Sequence, residues 1–146
     1  DHGPMTPTLR VCLDTNVLID LLDADRPQHA ASTEVMRAVQ RGELRACISA
    51  ISIVNAIYVL RRAMPPERMA TYLQHMLQVV ELSRLEAQEM LQALASGWKD
   101  LEDAIQYHSA LASGRIDAIV SHDADMKKQD RLPVLTPRQL LQKLER

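Results

Sequence analysis

The sequence of 146 residues contains no phenylalanine, one tryptophan and three tyrosines. Proteins that bind single-stranded nucleic acid commonly stack successive bases on aromatic side chains. We therefore expect no aromatic platform for bases in this chain. The net charge of −2, from 17 basic and 19 acidic side chains, also excludes a positive field over the whole molecule. Binding of nucleic acid would then require bound cations or a local basic patch.

Cysteine is also scarce, and long apolar runs are missing. Cys12 and Cys47 each lie within a short apolar run, which predicts buried, reduced thiols rather than a disulfide or a metal site. No apolar run approaches the roughly 18–20 residues that span a bilayer, and no signal-peptide pattern opens the chain. These absences predict a cytoplasmic protein without a membrane segment. Residues 1–4, DHGP, precede Met5 and resemble a remnant of an expression tag, so one domain is expected over residues 5–146.

Short apolar runs alternate with longer amphipathic segments along the chain. The apolar runs predict five strands, at 10–13, 45–48, 78–82, 117–120 and 132–135. Helix signals predict intervening helices that begin near Thr15, Asp25, Ser49, Pro65, Ser83, Asp100 and Thr136. Ser83 and Glu86 are expected to form a capping box, and Pro133 places the last strand at an edge of the sheet. Because strands separated by helices require crossover connections, we expect a mainly parallel sheet with helices on both faces.

Four aspartates lie near the ends of these predicted strands. Asp14 directly follows the first strand, Asp123 follows the fourth, and Asp100 and Asp103 begin the helix that leads into the fourth. Each aspartate taken singly is also typical of a helix cap or a turn. In parallel sheets, however, ligands bind beyond the carboxyl ends of strands where the strand order reverses. If the first and fourth strands are neighbours, the carboxylates converge there.

A converging group of carboxylates requires a compensating charge. Two unit charges about 4 Å apart repel by roughly 4 kcal/mol at an effective dielectric constant near 20. Such a group therefore needs a divalent cation or takes up protons. Oxygen ligands suit Mg²⁺ or Mn²⁺ better than Zn²⁺, and no Cys/His spacing in the chain suggests zinc.

Four short segments occur in a fixed order along the chain: LDTNVLIDLL, ISAISIVNAIYVLRR, DLEDAIQYHSAL and DAIVSHDADM. Together they resemble the motifs of the PIN domain family of metal-dependent nucleases, which includes VapC-like toxins of toxin–antitoxin pairs. The resemblance implies a three-layer α/β/α fold with a five-stranded, mainly parallel sheet of order 3-2-1-4-5. It also implies that Asp14, Asp103 and Asp123 bind Mg²⁺ or Mn²⁺ and that single-stranded RNA is hydrolysed. A homodimer and a small antitoxin are the implied protein partners, for which the apolar helices at 50–60 and 69–80 offer surfaces.

Further candidate residues lie beside these acids. Thr15, Asn16 and Ser121 are candidates to hold the carboxylates or the scissile phosphate by hydrogen bonds, although each is also typical of a cap or a turn. Candidates for contacts to the RNA backbone are two basic pairs, Arg61 with Arg62 and Lys127 with Lys128. Solvated surface charge is the simpler interpretation of both pairs. His122, next to Asp123, is expected to be incidental.

Asn55 departs from the family pattern, because many members carry a glutamate in the second motif. An asparagine oxygen can coordinate a metal or bind its water, but the side chain brings no charge and cannot act as a base. Asp100 is a candidate to supply the missing negative charge, and a buried asparagine satisfied by neighbouring backbone is the structural alternative. The departure leaves a second function open, a PIN-like module that binds RNA or protein with weak or no nuclease activity. An aspartyl-nucleophile phosphotransferase is disfavoured because Asn16 stands where that chemistry needs a second aspartate.

Overall fold

The structure, a computed structural model, describes residues 8–145 apart from the side chains of Ala124 and Asp125. The predicted tag remnant at 1–4 lies outside the described residues. The strands in the described range are β1 (Arg10–Leu13), β2 (Arg45–Ile48), β3 (Glu81–Leu82), β4 (Ala118–Val120) and β5 (Val134–Leu135). The helices are α1 (Thr15–Leu22), α2 (His29–Gln40), α3 (Ala50–Leu60), α4 (Pro66–Met76), α5 (Ala87–Leu94), α6 (Leu101–Ala112) and α7 (Pro137–Leu144). A short 3-10 helix, Ala124–Lys128, follows β4.

The five strands form one sheet of order β3-β2-β1-β4-β5, and every neighbouring pair is parallel. This confirms the predicted strand order, in which β1 and β4 are neighbours. β5, which begins directly after Pro133, lies at an edge of the sheet, as predicted. In the β1–β4 register, Leu13 is opposite Val120. The residues that follow, Asp14 and Ser121, therefore leave the sheet side by side at its carboxyl edge.

Helices cover both faces of the sheet, because successive side chains of a strand point to opposite sides. Val11 and Leu13 of β1 belong to the largest apolar cluster, which includes residues of α1, α2, α3, α4 and α7. Cys12 points to the other face and packs with Ala110 of α6, and α5 and α6 pack against each other there. The predicted three-layer α/β/α architecture is confirmed. No helix in the described range is long and apolar enough to cross a membrane.

Three predicted caps are present in the structure. The side chains of Ser49, Asp100 and Thr136 each accept a backbone N–H from the first turn of the helix that follows, α3, α6 and α7 respectively. These side chains satisfy donors that have no partner within the helix itself. Through its cap, Asp100 fixes the start of α6, the helix that carries Asp103.

The prediction of reduced thiols is wrong. Cys12 and Cys47 are opposite each other in the β1–β2 register, with their Cα atoms 4.7 Å apart, and the structure joins them in a disulfide. Two cysteines in register on adjacent strands point to the same face and lie within bonding reach. The strand register that pairs them is set by the whole sheet and cannot be derived from either apolar run.

The predicted capping box at Ser83 and Glu86 is also wrong. The Ser83 hydroxyl is hydrogen-bonded to the Ser109 hydroxyl of α6 at 2.6 Å. The capping box of α5 instead pairs Glu86 with Glu89, whose Oε1 accepts the Glu86 N–H at 2.7 Å. Ser83 thus joins β3 to α6 because tertiary packing supplies it with a partner that the local sequence pattern does not show.

Candidate metal centre

Three carboxylates converge at the carboxyl edge of the sheet. Asp14 follows β1, Asp103 lies in the first turn of α6, and Asp123 follows β4. One carboxylate oxygen from each lies within 4.8 Å of the others. Asp14 and Asp103 are buried, with 3% and 5% of their surface exposed, and Asp123 is half-buried. The structure therefore brings together the three acids that the motifs single out.

Asp14 is held by donors on both of its carboxylate oxygens. The Thr15 N–H donates to Oδ1 and the Ser121 hydroxyl donates to Oδ2, each at 2.7 Å. The Ser121 oxygen also accepts the backbone N–H of Asp123 at 2.9 Å. Ser121 therefore fixes two of the three acids relative to each other, and Asp14 is at once a helix cap and a member of the cluster.

A buried polar chain behind Asp14 connects three helices. The Thr15 hydroxyl donates to the Ser52 hydroxyl at 2.9 Å, and Ser52 donates to Gln106 Oε1 at 2.9 Å. The Thr15 N–H also lies 3.2 Å from Gln106 Oε1. Ser52 and Gln106 were missed from the sequence, although Gln106 follows Asp103 by one helical turn. Their hydrogen bonds hold α1, α3 and α6 together around the acids, which is the support that metal-binding carboxylates need.

Asp103 and Asp14 both have a raised pKa, but the surroundings of the two carboxyl groups differ. Burial, followed by the charges of Asp14, Asp100 and Asp123, raises the pKa of Asp103 to about 8. Burial also raises the pKa of Asp14, but the hydrogen bonds from Ser121 and Thr15 oppose that rise. Among the described residues, Asp103 Oδ2 is buried and has no hydrogen-bond partner. An orphaned carboxylate oxygen beside two further acids fits a divalent cation bound through oxygen ligands.

Asn55, the uncharged residue in the second motif, lies near an acidic side chain. Asn55 is half-buried on α3, and no described residue accepts a hydrogen bond of good geometry from its Nδ2. Burial and the charge of Asp100 raise the pKa of Glu102, while the proximity of Asn55 and Thr15 lowers it. Glu102, which was missed from the sequence, thus lies near Asn55. Asp100 is exposed, and its carboxylate accepts the Asp103 N–H at 3.0 Å, so its local role is the helix cap.

His122 is not incidental, contrary to expectation. Its Nε2 lies 2.7 Å from Oδ2 of Asp20, which is 1% exposed and accepts from Arg26 Nε through Oδ1 at 2.6 Å. Asp20 is on α1, and His122 directly precedes Asp123. This buried carboxylate therefore fixes the segment after β4 that carries the third acid of the cluster.

An open cleft of about 350 Å³ adjoins Asp103. Its lining residues are Trp98, Lys99, Asp100, Asp103, Lys128 and Gln129. Of the predicted basic candidates, Lys128 lines this cleft, and the exposed Lys127 precedes it.

The other predicted candidates lie outside that lining. The Arg61 guanidinium lies over the Tyr58 ring, 3.9 Å from its centre, and Arg62 is exposed. Asn16 is half-buried on α1. Arg61 therefore contacts a residue of α3, Arg62 is exposed to solvent, and neither arginine is among the residues that line the cleft.

Helix α3 presents large apolar side chains to solvent. The exposed ones are Val54, Ile57, Tyr58 and Val59, between 41% and 63% exposed. Single exposed apolar residues are ordinary, but a group of them on one short helix is typical of an interaction surface.

Comparison with known proteins shows which family this chain belongs to. The PIN domain profile matches residues 10–125. Ribonuclease VapC1 of Aquifex aeolicus (strain VF5) is 25% identical over 131 residues, covering 87% of this chain and 90% of that protein. The crystal structure of Mycobacterium tuberculosis VapC20, a sarcin-ricin loop cleaving toxin, has a TM-score of 0.64 at 17% identity and covers 81% of this chain and 93% of its own. The VapBC2 structure from Rickettsia felis, bound to a promoter DNA fragment, has a TM-score of 0.63 at 14% identity. The match covers 88% of this chain and 98% of the Rickettsia felis chain. The two structures show a shared fold, and the profile match over most of the chain shows that this protein belongs to the PIN domain family.

Proposed function

We propose that this protein is an endoribonuclease that hydrolyses single-stranded RNA with the help of Mg²⁺ or Mn²⁺. The observation that carries the proposal is the convergence of Asp14, Asp103 and Asp123, in which the buried Oδ2 of Asp103 has no hydrogen-bond partner within the part of the chain that the structure describes. Two similar proteins support this reaction class, because one is a ribonuclease and the other is a toxin that cleaves the sarcin-ricin loop.

The proposed mechanism assigns different work to each side chain. Asp14, Asp103 and Asp123 would hold the cation, which would lower the pKa of a water molecule and neutralise charge on the phosphoryl oxygens. Asp103 gives up the proton that its raised pKa retains in the metal-free protein. Ser121 and the Thr15 N–H orient Asp14, and their hydrogen bonds oppose the rise in its pKa that burial causes. The uncharged Asn55 cannot take a proton, so Glu102 is the acid beside it that can.

The test pairs metal binding with RNA cleavage. We expect calorimetry to detect Mg²⁺ or Mn²⁺ binding to the wild-type protein, together with metal-dependent cleavage of single-stranded RNA. Asp14→Asn should lose both while its circular dichroism spectrum is unchanged. Asp25→Asn, at an exposed position outside the cluster, is the matched control and should retain both. Undiminished cleavage by Asp14→Asn would contradict the proposed site.

A second candidate function is favoured by one residue. Asn55 leaves the second motif without an acid, which would suit a PIN-like module that binds RNA or protein with weak or no nuclease activity. The same assays separate the two functions. Binding of RNA by the wild-type protein at saturating Mn²⁺, without cleavage, would favour the binding module.

We also propose that the protein forms a homodimer and pairs with a small antitoxin, as the toxin of a toxin–antitoxin pair. The Rickettsia felis structure is of a VapBC pair, and the exposed apolar side chains of α3 offer a surface for burial against a partner chain. Light scattering should give a dimer mass for the wild-type protein and a monomer mass for Val54→Asp. A wild-type monomer would refute the homodimer and leave the α3 surface for a different chain.

A further inference from the structure

Trp98, the only tryptophan in the sequence, is one of the residues that line the cleft beside Asp103. Trp98 is half-buried, and its indole stacks on the Tyr107 ring with the ring centres 5.1 Å apart and the planes 26° from parallel. Tyr107 in turn packs against Ile119 of β4 and Met126. The indole is therefore supported from below by the core of the fold rather than placed on a loop without backing.

The backbone that presents Trp98 is also fixed. Gly97 has a φ of +79°, which side chains disfavour, so the turn from α5 into α6 depends on glycine here. The Trp98 N–H donates to the Ser96 hydroxyl at 3.2 Å, and that hydroxyl donates to the Ala93 carbonyl at 2.7 Å. The turn thus holds the indole in one place at the edge of the cleft.

Two lysines in the cleft provide charges that a nucleotide can use. Lys99 and Lys128 are exposed and line the same cleft, together with the exposed Asp100 and with Asp103 of the carboxylate cluster. A nucleotide placed here could set its base against the aromatic wall and its phosphates against the ammonium groups. Base stacking on aromatic side chains tolerates any sequence because every base has a π-face.

The amide of Gln129 does not add base recognition. Its Nε2 donates to the carbonyls of Met126 and Leu132, and its Oε1 accepts the N–H groups of Arg131 and Leu132. Both ends of the side chain are therefore committed to shaping the loop after the 3-10 helix. The cleft offers a stacking face and two ammonium groups, and this amide makes no contribution to reading base edges.

We propose that this cleft is a nucleobase subsite, in which the base of a nucleotide flanking the scissile phosphate stacks on Trp98 and its phosphates lie near Lys99 and Lys128. The inference rests on the proposed function for the identity of the substrate. It also means that the scarcity of aromatic residues does not exclude stacking, because a single supported indole beside the acids is enough for one base.

The first experiment is a double-mutant cycle between the protein and its substrate. A short single-stranded RNA that the wild-type protein cuts at one bond is compared with the same RNA made abasic at either flanking nucleotide. Trp98→Leu should raise KM by about 5- to 150-fold with little change in kcat, and Trp98→Phe should recover most of the loss. At one flanking position the abasic RNA should raise KM similarly for the wild-type protein. For Trp98→Leu the same abasic change should then add less than about twofold.

The cycle has outcomes that overturn the subsite. Independent, multiplying effects of Trp98→Leu and base removal would show that the missing base does not contact the indole. An unchanged KM for Trp98→Leu would overturn it as well. In either case RNA cleavage itself would stand, so the failure would be separate from that of the proposed function.

The second experiment needs no catalysis and no altered tryptophan. Because Trp98 is the only tryptophan, the tryptophan emission of the protein reports on this position alone. In the Asp14→Asn variant, short single-stranded RNA should quench that emission, and the base-free ribose 5-phosphate at the same concentration should not. Equal quenching by both, or none by RNA, would overturn the subsite. Quenching by RNA alone would support it even if the wild-type protein cut no RNA.

Discussion

Replacing Asp103 by asparagine should stabilise the metal-free protein while removing its capacity to bind metal. Asp103 is 5% exposed and has a pKa raised to about 8 by burial and then by the charges of Asp14, Asp100 and Asp123. The unfolded chain ionises Asp103 near its ordinary value of 3.8. An asparagine of the same shape avoids this mismatch, and its amide N–H groups would lie beside the remaining carboxylates.

The magnitude follows from the pKa difference. At pH 7 the folded protein keeps Asp103 protonated, whereas the unfolded chain ionises it and so gains free energy. At about 1.4 kcal/mol per pH unit, this difference lowers the stability of the folded state by roughly 4 kcal/mol. Because the charge of Asp14 contributes to this shift and the pKa of Asp14 is itself raised, we expect a smaller gain of about 2–4 kcal/mol in the free energy of unfolding for Asp103→Asn. Folding takes up a proton between the two pKa values, so the wild-type protein should lose stability as the pH rises from about 4 to 8.

The assay is urea unfolding in the presence of a chelator. Asp103→Asn should exceed the wild-type protein in stability at pH 7.5, and the difference should fall to about 1–2 kcal/mol at pH 5. Asp25→Asn, at an exposed site, should differ from the wild-type protein by no more than about 0.5 kcal/mol. If Asp103→Asn is less stable than the wild-type protein at pH 7.5, Asp103 is not destabilised by its neighbours and the electrostatic reasoning fails.

Three further perturbations test the surroundings of the cluster. Asp20→Ala should lower the free energy of unfolding by about 3 kcal/mol, measured by urea unfolding, because it removes the buried partner of His122; no loss would refute that role. Lys128→Gln should weaken RNA binding and lower the slope of log affinity against log salt by up to about 1, in a salt titration by fluorescence anisotropy. Calorimetric Mg²⁺ affinity should rise up to about tenfold per pH unit between pH 6 and 8, because the cation displaces one proton from Asp103; a flat profile would contradict this.

The sequence predicted the strands and helices because their signals are local. Asp14 and Asp123 follow apolar strands and Asp103 follows a capping residue, but each acid taken singly is also typical of a cap or a turn, and the resemblance to the family selected these three. The resemblance to the family supplied the strand order, and the structure has that order. The disulfide between Cys12 and Cys47 depends on strand register, which neither segment determines alone.

Other features of the site depend on contacts between distant segments. Asp20 looks like an interruption of an apolar helix, and only the fold brings it to His122, 102 positions along the chain. Glu102 precedes Asp103 and was overlooked because the motif draws attention to its neighbour. A count of aromatic residues carries no information about where the one tryptophan lies, and the fold places Trp98 in the cleft beside Asp103.

The hydrogen bonds around the cluster explain why two neighbouring buried acids behave differently. Asp14 receives donors on both oxygens, from Thr15 and Ser121, which favour its ionised form. Asp103 Oδ2 receives none from the described residues, and the negative charges around it favour its protonated form. Environments that push two carboxyl groups apart in pKa assign them different roles. Asp14 is therefore the better anchor for a cation, whereas at Asp103 a cation has to displace a proton, and the metal-free fold bears the cost of keeping that proton bound at neutral pH.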